Sequence, residues 1–180
     1  VNGSGGTPSA VINIGTVSGV QLIDVTATGG LDYGIYAAVV TDLHLTRCRA
    51  TANGTGGGTD AGFGLHGTRI TAIDCIADSN TGSGFRLFGT GGTPGKRHVY
   101  IGCHANSNTL SGWYSTSSGS NPTLCSFTDC HADANGSAGS YSGFNLGYLS
   151  RADYKGCTST NNTEHGFVLM DAAYITMHAP

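Results

Sequence analysis

A cysteine returns at almost constant intervals through most of the chain. Cys48, Cys75, Cys103, Cys130 and Cys157 lie 27, 28, 27 and 27 residues apart, and Val25 holds the same place one repeat earlier. Other columns keep the same register. Two residues after each anchor come Ala27, Ala50, Ala77, Ala105, Ala132 and Ser159. Five residues after come Asn53, Asn80, Asn108, Asn135 and Asn162, with Gly30 in the first repeat. A glycine-apolar pair follows: Gly34-Ile35, Gly62-Phe63, Gly84-Phe85, Gly112-Trp113, Gly143-Phe144 and Gly166-Phe167. Leu65, Leu87, Leu146 and Leu169 stand two positions further on, with Ala37 and Ser115 as weaker members. Three residues before each anchor are Leu22, Leu45, Ala72, Tyr100, Phe127 and Tyr154. Self-similarity at one period is the mark of stacked supersecondary units.

Strand geometry turns these columns into a shape. Side chains alternate faces, so Cys and Ala at i and i+2 point one way, as do Phe and Leu. A single repeat cannot bury its apolar positions, but a stack of repeats does, with like residues about 4.8 Å apart. The expected fold is all-β: a right-handed parallel β-helix of about six to seven coils, three short strands per coil. Cys, Phe and Leu ladders fill its interior. The Asn ladder lies at a corner, where Asn can take the left-handed conformation and bond to its stacked neighbours. Residues 1–10, rich in Gly, Ser and Pro, read as a lead-in, and 11–180 as one solenoid domain. The pattern is still running at both ends, as in a segment of a longer chain.

Charged residues make up 11% of the chain, against roughly a quarter in ordinary domains, and 30 glycines suit turn-rich β structure. Eight Lys and Arg at a net charge of −3 offer no phosphate footprint for a nucleic acid. No run reaches the length of a membrane-spanning helix. No C-x-x-C motif occurs, so the six cysteines read as small buried hydrophobes, Cys125 included, in the place held by Val20, Leu43 and Ile70. Adjacent rungs would also be within reach of a disulfide. Free thiols in this number suit a chain that folds in a reducing cytosol.

The motif C-x-A-x-x-N followed by G-F-x-L, over roughly residues 20–174, resembles the parallel β-helix of the pectin-lyase-like superfamily, most closely the bacteriophage tailspike and depolymerase β-helices. The resemblance implies binding, and in some members cleavage, of polysaccharide. It implies a bacterial surface polysaccharide as partner, a homotrimer, and a place on the virion after folding in host cytosol, or else an extracellular one. A stand-alone polysaccharide lyase or glycoside hydrolase, and a structural or adhesive solenoid, are the alternative readings. No cofactor is expected.

Glycoside cleavage generally uses two carboxylates several ångströms apart. Asp74 with Asp129, and Asp78 with Asp133, are two rungs apart in equivalent columns. The Asp before an anchor Cys is also simply a good turn former. Arg86 projects from the Gly-Phe-x-Leu strand, the face that the resemblance implies for an active site. Phe88, Lys96, Arg97, Tyr114, Tyr141 and Tyr148 are candidates for holding sugar, since an aromatic ring offers an apolar face and a basic side chain a charged one. His104 and His131 follow anchor cysteines, point outward and stack, which fits acid–base work, a metal or a solvated polar face. Insertions at 54–61, 89–97 and 136–142 are the expected carriers of function.

Overall fold

The computed structural model describes residues 9–55, 60–88, 97–115, 124–139, 141–147, 149–170 and 174–178. All regular structure among them is β, and every strand pair is parallel. Three stacks of equivalent strands form the walls. In the aromatic stack Ile12, Ile35, Phe63, Phe85, Trp113, Phe144 and Phe167 are register partners. In the second stack Leu22, Leu45, Ala72, Tyr100, Phe127, Tyr154 and Met177 are partners. In the cysteine stack the partners are Ala27, Ala50, Ala77, Ala105, Ala132 and Ser159. The first two stacks share one sheet because Tyr33–Thr46 and Ala61–Ile73 run through the bend, with a register shift between Ala37 and Val40.

The cysteine stack has six rungs among the described residues, spanned by five full turns. That is fewer than the six to seven coils expected from the repeats, because each end contributes strands without a complete turn. The first strand, Ala10–Ile14, begins inside the stretch read as a lead-in.

Aromatic rings set the interior. Phe63, Phe85, Trp113, Phe144 and Phe167 lie parallel with centroids 4.7, 4.9, 4.5 and 4.8 Å apart. Tyr100, Phe127 and Tyr154 form a second pile at 5.1 and 5.0 Å. The two piles meet edge to face, as at Phe127 and Phe144 with rings 80° apart. The edge-to-face contacts set the positive edge of one ring against the negative face of another. The cysteines are free thiols, buried except for half-buried Cys157. Hydrogen bonding from Cys103 and burial push the Cys75 thiol up to about 12, so it behaves as an apolar filler.

The Asn ladder is bonded along its length and buried from Asn53 to Asn135, with Asn162 half-buried. Asn80 Nδ2 donates to Asn108 Oδ1 (2.9 Å) and to the Ala50 carbonyl (3.1 Å), while its backbone N–H also reaches Asn108 Oδ1 (3.1 Å). Asn108 repeats this toward Asn135, and Asn135 toward Asn162. The expected left-handed conformation falls one residue earlier, at Ala52, Ser79, Ser107, Ala134 and Asn161, with φ of 52–55°. The Asn must aim its amide along the stack, so its neighbour makes the turn. Glycine before each ring leaves room for this amide: a Cβ on Gly112 would sit 2.6 Å from the Gly143 carbonyl and 3.0 Å from Asn135 Nδ2.

Candidate functional site

With the inward columns committed to packing, chemistry falls to the outward ones. On the aromatic stack the outward register runs Tyr36, Gly64, Arg86, Tyr114 and Asn145. Gly64 makes space for two rings, since a Cβ there would lie 2.7 Å from Tyr33 and 2.8 Å from Tyr36. Arg86 is 8% exposed, and its guanidinium lies 4.8 Å from the Phe88 centroid and 5.6 Å from that of Tyr114. Such cation–π contacts are worth about 0.5–2 kcal/mol, more as water is excluded. Tyr33 and Tyr36 stand 4.8 Å apart, and Phe88 lies 6.4 Å from each. Burial pushes the Tyr33 hydroxyl up to about 12. Beside this band, Ser83, Leu110, Tyr114 and Tyr141 enclose a recess of about 100 Å³.

A larger cleft, about 350 Å³, opens on the second stack between Asp42, His44, Arg69, Ile70, Thr71, Arg97 and Val99. Arg69 grips Asp42 with both arms of its fork, one bond through Nε and one from Nη2 to Oδ2 at 2.7 Å. That contact holds the Asp42 carboxyl below the usual carboxylate range. Both residues have φ of 56°, so the pair straps two successive bends. Arg97 occupies the next rung of the same column, one residue before His98, just as Arg69 precedes its partner Ile70. His44, Thr71 and Val99 form the neighbouring outward column. Of this set the sequence reading had singled out Arg97. The signal for the others was available, because Arg69 lies 27 residues after Asp42 and Arg97 follows 28 later, the period of the cysteines.

The other candidates are scattered over separate faces. Asp74 and Asp129 take φ of 51° and 50° at the corner before the anchor, in keeping with the turn reading. Their carboxylates lie over the corner glycines of the next rung: a Cβ on Gly102 or Gly156 would lie 2.4 or 2.1 Å from the respective Oδ1. Two rungs separate them, roughly 10 Å. Asp78 pairs with Arg49 at 3.5 Å, and Asp133 accepts hydrogen bonds from Thr160 and Asn161. Lys96 and Tyr148 lie outside the described residues.

His104 and His131 stack with ring centroids 4.8 Å apart, and His131 Nδ1 contacts the Thr158 hydroxyl. Among the described residues no group of three or more His, Cys, Asp or Glu could hold a metal ion. Burial, and then the charge of His131, lower the pKa of His104, against a partial opposing pull from Asp74. The proton that the unfolded chain accepts near pH 6.5 is therefore resisted by the fold. Stability is full above that pH and falls as pH drops through it toward the lowered value. Melting temperature is expected to decline between about pH 7 and pH 5 by more in the wild type than in His104→Gln, and equal declines would contradict the coupling.

No protein-family model and no curated protein matches the chain. Among solved structures it is similar to the crystal structure of pectate lyase Pel9A, with a TM-score of 0.55 and 17% identity over 88% of this chain and 54% of that one. The chain thus spans about half the length of that protein. At this identity the likeness concerns the fold alone, a parallel β-helix of stacked coils.

Proposed function

We propose that this chain is a polysaccharide-holding solenoid of the tailspike or fibre type, a trimer on a virion that docks onto bacterial surface polysaccharide. The observation that carries the reading is the cleft on the second stack. Arg69 neutralises Asp42, and Arg97, one rung away, is exposed and has no ion-pair partner among the described residues. Next to this cation lie the Thr71 hydroxyl, the His44 imidazole and apolar Val99. A chain carrying carboxylates and flat sugar faces meets all of these groups. Pel9A is a pectate lyase, which makes an acidic polymer the first to try.

Holding is favoured over cleavage by the carboxylates. Asp42 is the single acid among the described residues that line the cleft, and it sits in the Arg69 fork. A retaining or inverting pair would need a second acid within about 5–9.5 Å. Six free thiols suit folding in a reducing host cytosol. The test is a panel of acidic and neutral polysaccharides, followed by binding, by reducing ends and by absorbance of unsaturated products. Expected are binding to an acidic polymer that weakens with added salt, no turnover, and a mass of three chains in light scattering. Turnover would transfer the reading to a lyase or hydrolase, and no binding across the panel would contradict it.

A further inference from the structure

We propose that the recess between Ser83, Leu110, Tyr114 and Tyr141 receives the acetyl group of an N- or O-acetylated sugar. The inference rests on the reading that the chain holds polysaccharide, and it adds a second contact, on the aromatic stack, that names a feature of the polymer. Size comes first. About 100 Å³ is small beside the roughly 300–1,000 Å³ of a site for a whole small molecule, and it suits a short substituent. The lining comes second. Leu110 supplies an apolar wall for a methyl group, while the Ser83 hydroxyl and the two phenols can bond to a carbonyl or an amide N–H. A bare hydroxyl on the sugar would leave the leucine wall unused, and a charged substituent would be desolvated against it.

The recess is also held in shape by its surroundings. Leu110 N–H donates to the Gly82 carbonyl at 3.1 Å, and Ser83 N–H to that of Asp60 at 3.0 Å. Tyr141 donates to the Gly139 carbonyl at 3.0 Å and accepts from the Glu164 N–H at 3.2 Å. Tyr141 lies in the inserted stretch 136–142, so the extra residues of that coil build the fourth wall. Tyr114 is steadied by the Arg86 guanidinium beside its ring. A preformed hollow with few convergent polar groups is the usual form of a small-ligand subsite. The sugar that carries the substituent would lie across the half-buried band of Tyr114, Phe88 and Tyr36.

The test compares two neutral β-1,4-linked oligomers that differ in one substituent: chitopentaose, with its acetamido groups, and cellopentaose, with hydroxyls there. Titration of the wild type is expected to show at least about tenfold tighter binding of the acetamido oligomer, from one buried methyl and one buried hydrogen bond. Leu110→Phe, which fills the recess, should bring the ratio close to one by weakening chitopentaose binding more than that of cellopentaose. Tyr141→Ala, which opens it, should do the same and covers the case in which the first variant fails to fold. Equal binding of the two oligomers by the wild type, or a preference that survives both substitutions, overturns the proposal. So does failure to bind either oligomer when polymers of the wider panel are held. If nothing in that panel is held, the polysaccharide reading falls with it.

Discussion

Replacing Asn108 by alanine is expected to destabilise the fold by about 3–5 kcal/mol, seen as a lower denaturation midpoint with an unchanged urea slope. Four bonds go at once. The amide donates to the Ala77 carbonyl at 3.1 Å and to Asn135 Oδ1 at 2.9 Å. Its oxygen accepts from the backbone N–H and the side-chain amide of Asn80, at 3.1 and 2.9 Å. Asn135 Oδ1 keeps the Asn108 backbone donor, so it is not stranded. The Asn80 donors and the Ala77 carbonyl lose a partner where Asn80 and Asn108 are 1% and 0% exposed, out of reach of replacement water. Each buried group left unbonded costs about 1–3 kcal/mol. A loss under about 1 kcal/mol would mean that the ladder follows the coil rather than holding it.

Trp113→Ala should cost a similar amount, about 3–5 kcal/mol. The indole lies between Phe85 and Phe144, at 4.9 and 4.5 Å, and meets Phe127 edge-on at 6.3 Å. Alanine would leave a void between two flat rings that cannot close, because the backbone spacing of the rungs is set by hydrogen bonds. Trp113→Phe is the informative companion. Phenylalanine occupies the same place in the flanking rungs, and among the described residues the buried Trp113 Nε1 meets no acceptor. Phenylalanine removes that stranded donor, so its cost should stay within about 1.5 kcal/mol. Thermal melts of the two variants would separate stacking from mere bulk, and equal losses would contradict the account.

The inward half of the molecule was legible from residue order alone. Burial restricts what a position accepts, so Cys75, Ala77, Asn80 and Phe85 recur in register in neighbouring coils, and period-two alternation assigns their faces. The ladder's conformation was less legible. A residue at a corner can make the turn or bond along the stack, and the sequence does not show that Ser79 makes the one and Asn80 the other. The cleft was missed for a different reason. Its column runs Asp42, Arg69, Arg97, Leu124 and Arg151, an arginine repeat at the cysteine period that Asp42 and Leu124 interrupt. The spacing sets Asp42 beside Arg69, but the hollow they border comes from the bends of Tyr33–Thr46 and Ala61–Ile73. Residue order places Arg86 on the outward face of the Gly-Phe-x-Leu strand, but not the rings of Phe88 and Tyr114 that lie against it and leave it 8% exposed.

The proposed division between an inward half that builds the coil and an outward cleft for an acidic chain is tested most directly at Arg97. Polygalacturonate would be titrated into the wild type and into Arg97→Gln at two salt concentrations. An exposed charged contact of about 1 kcal/mol corresponds to binding about fivefold weaker at the lower salt. The gap should narrow at the higher salt as screening shortens the reach of the cation, with both proteins melting at the same temperature. Equal affinities for the two proteins at both salt concentrations would contradict the assignment of the cleft.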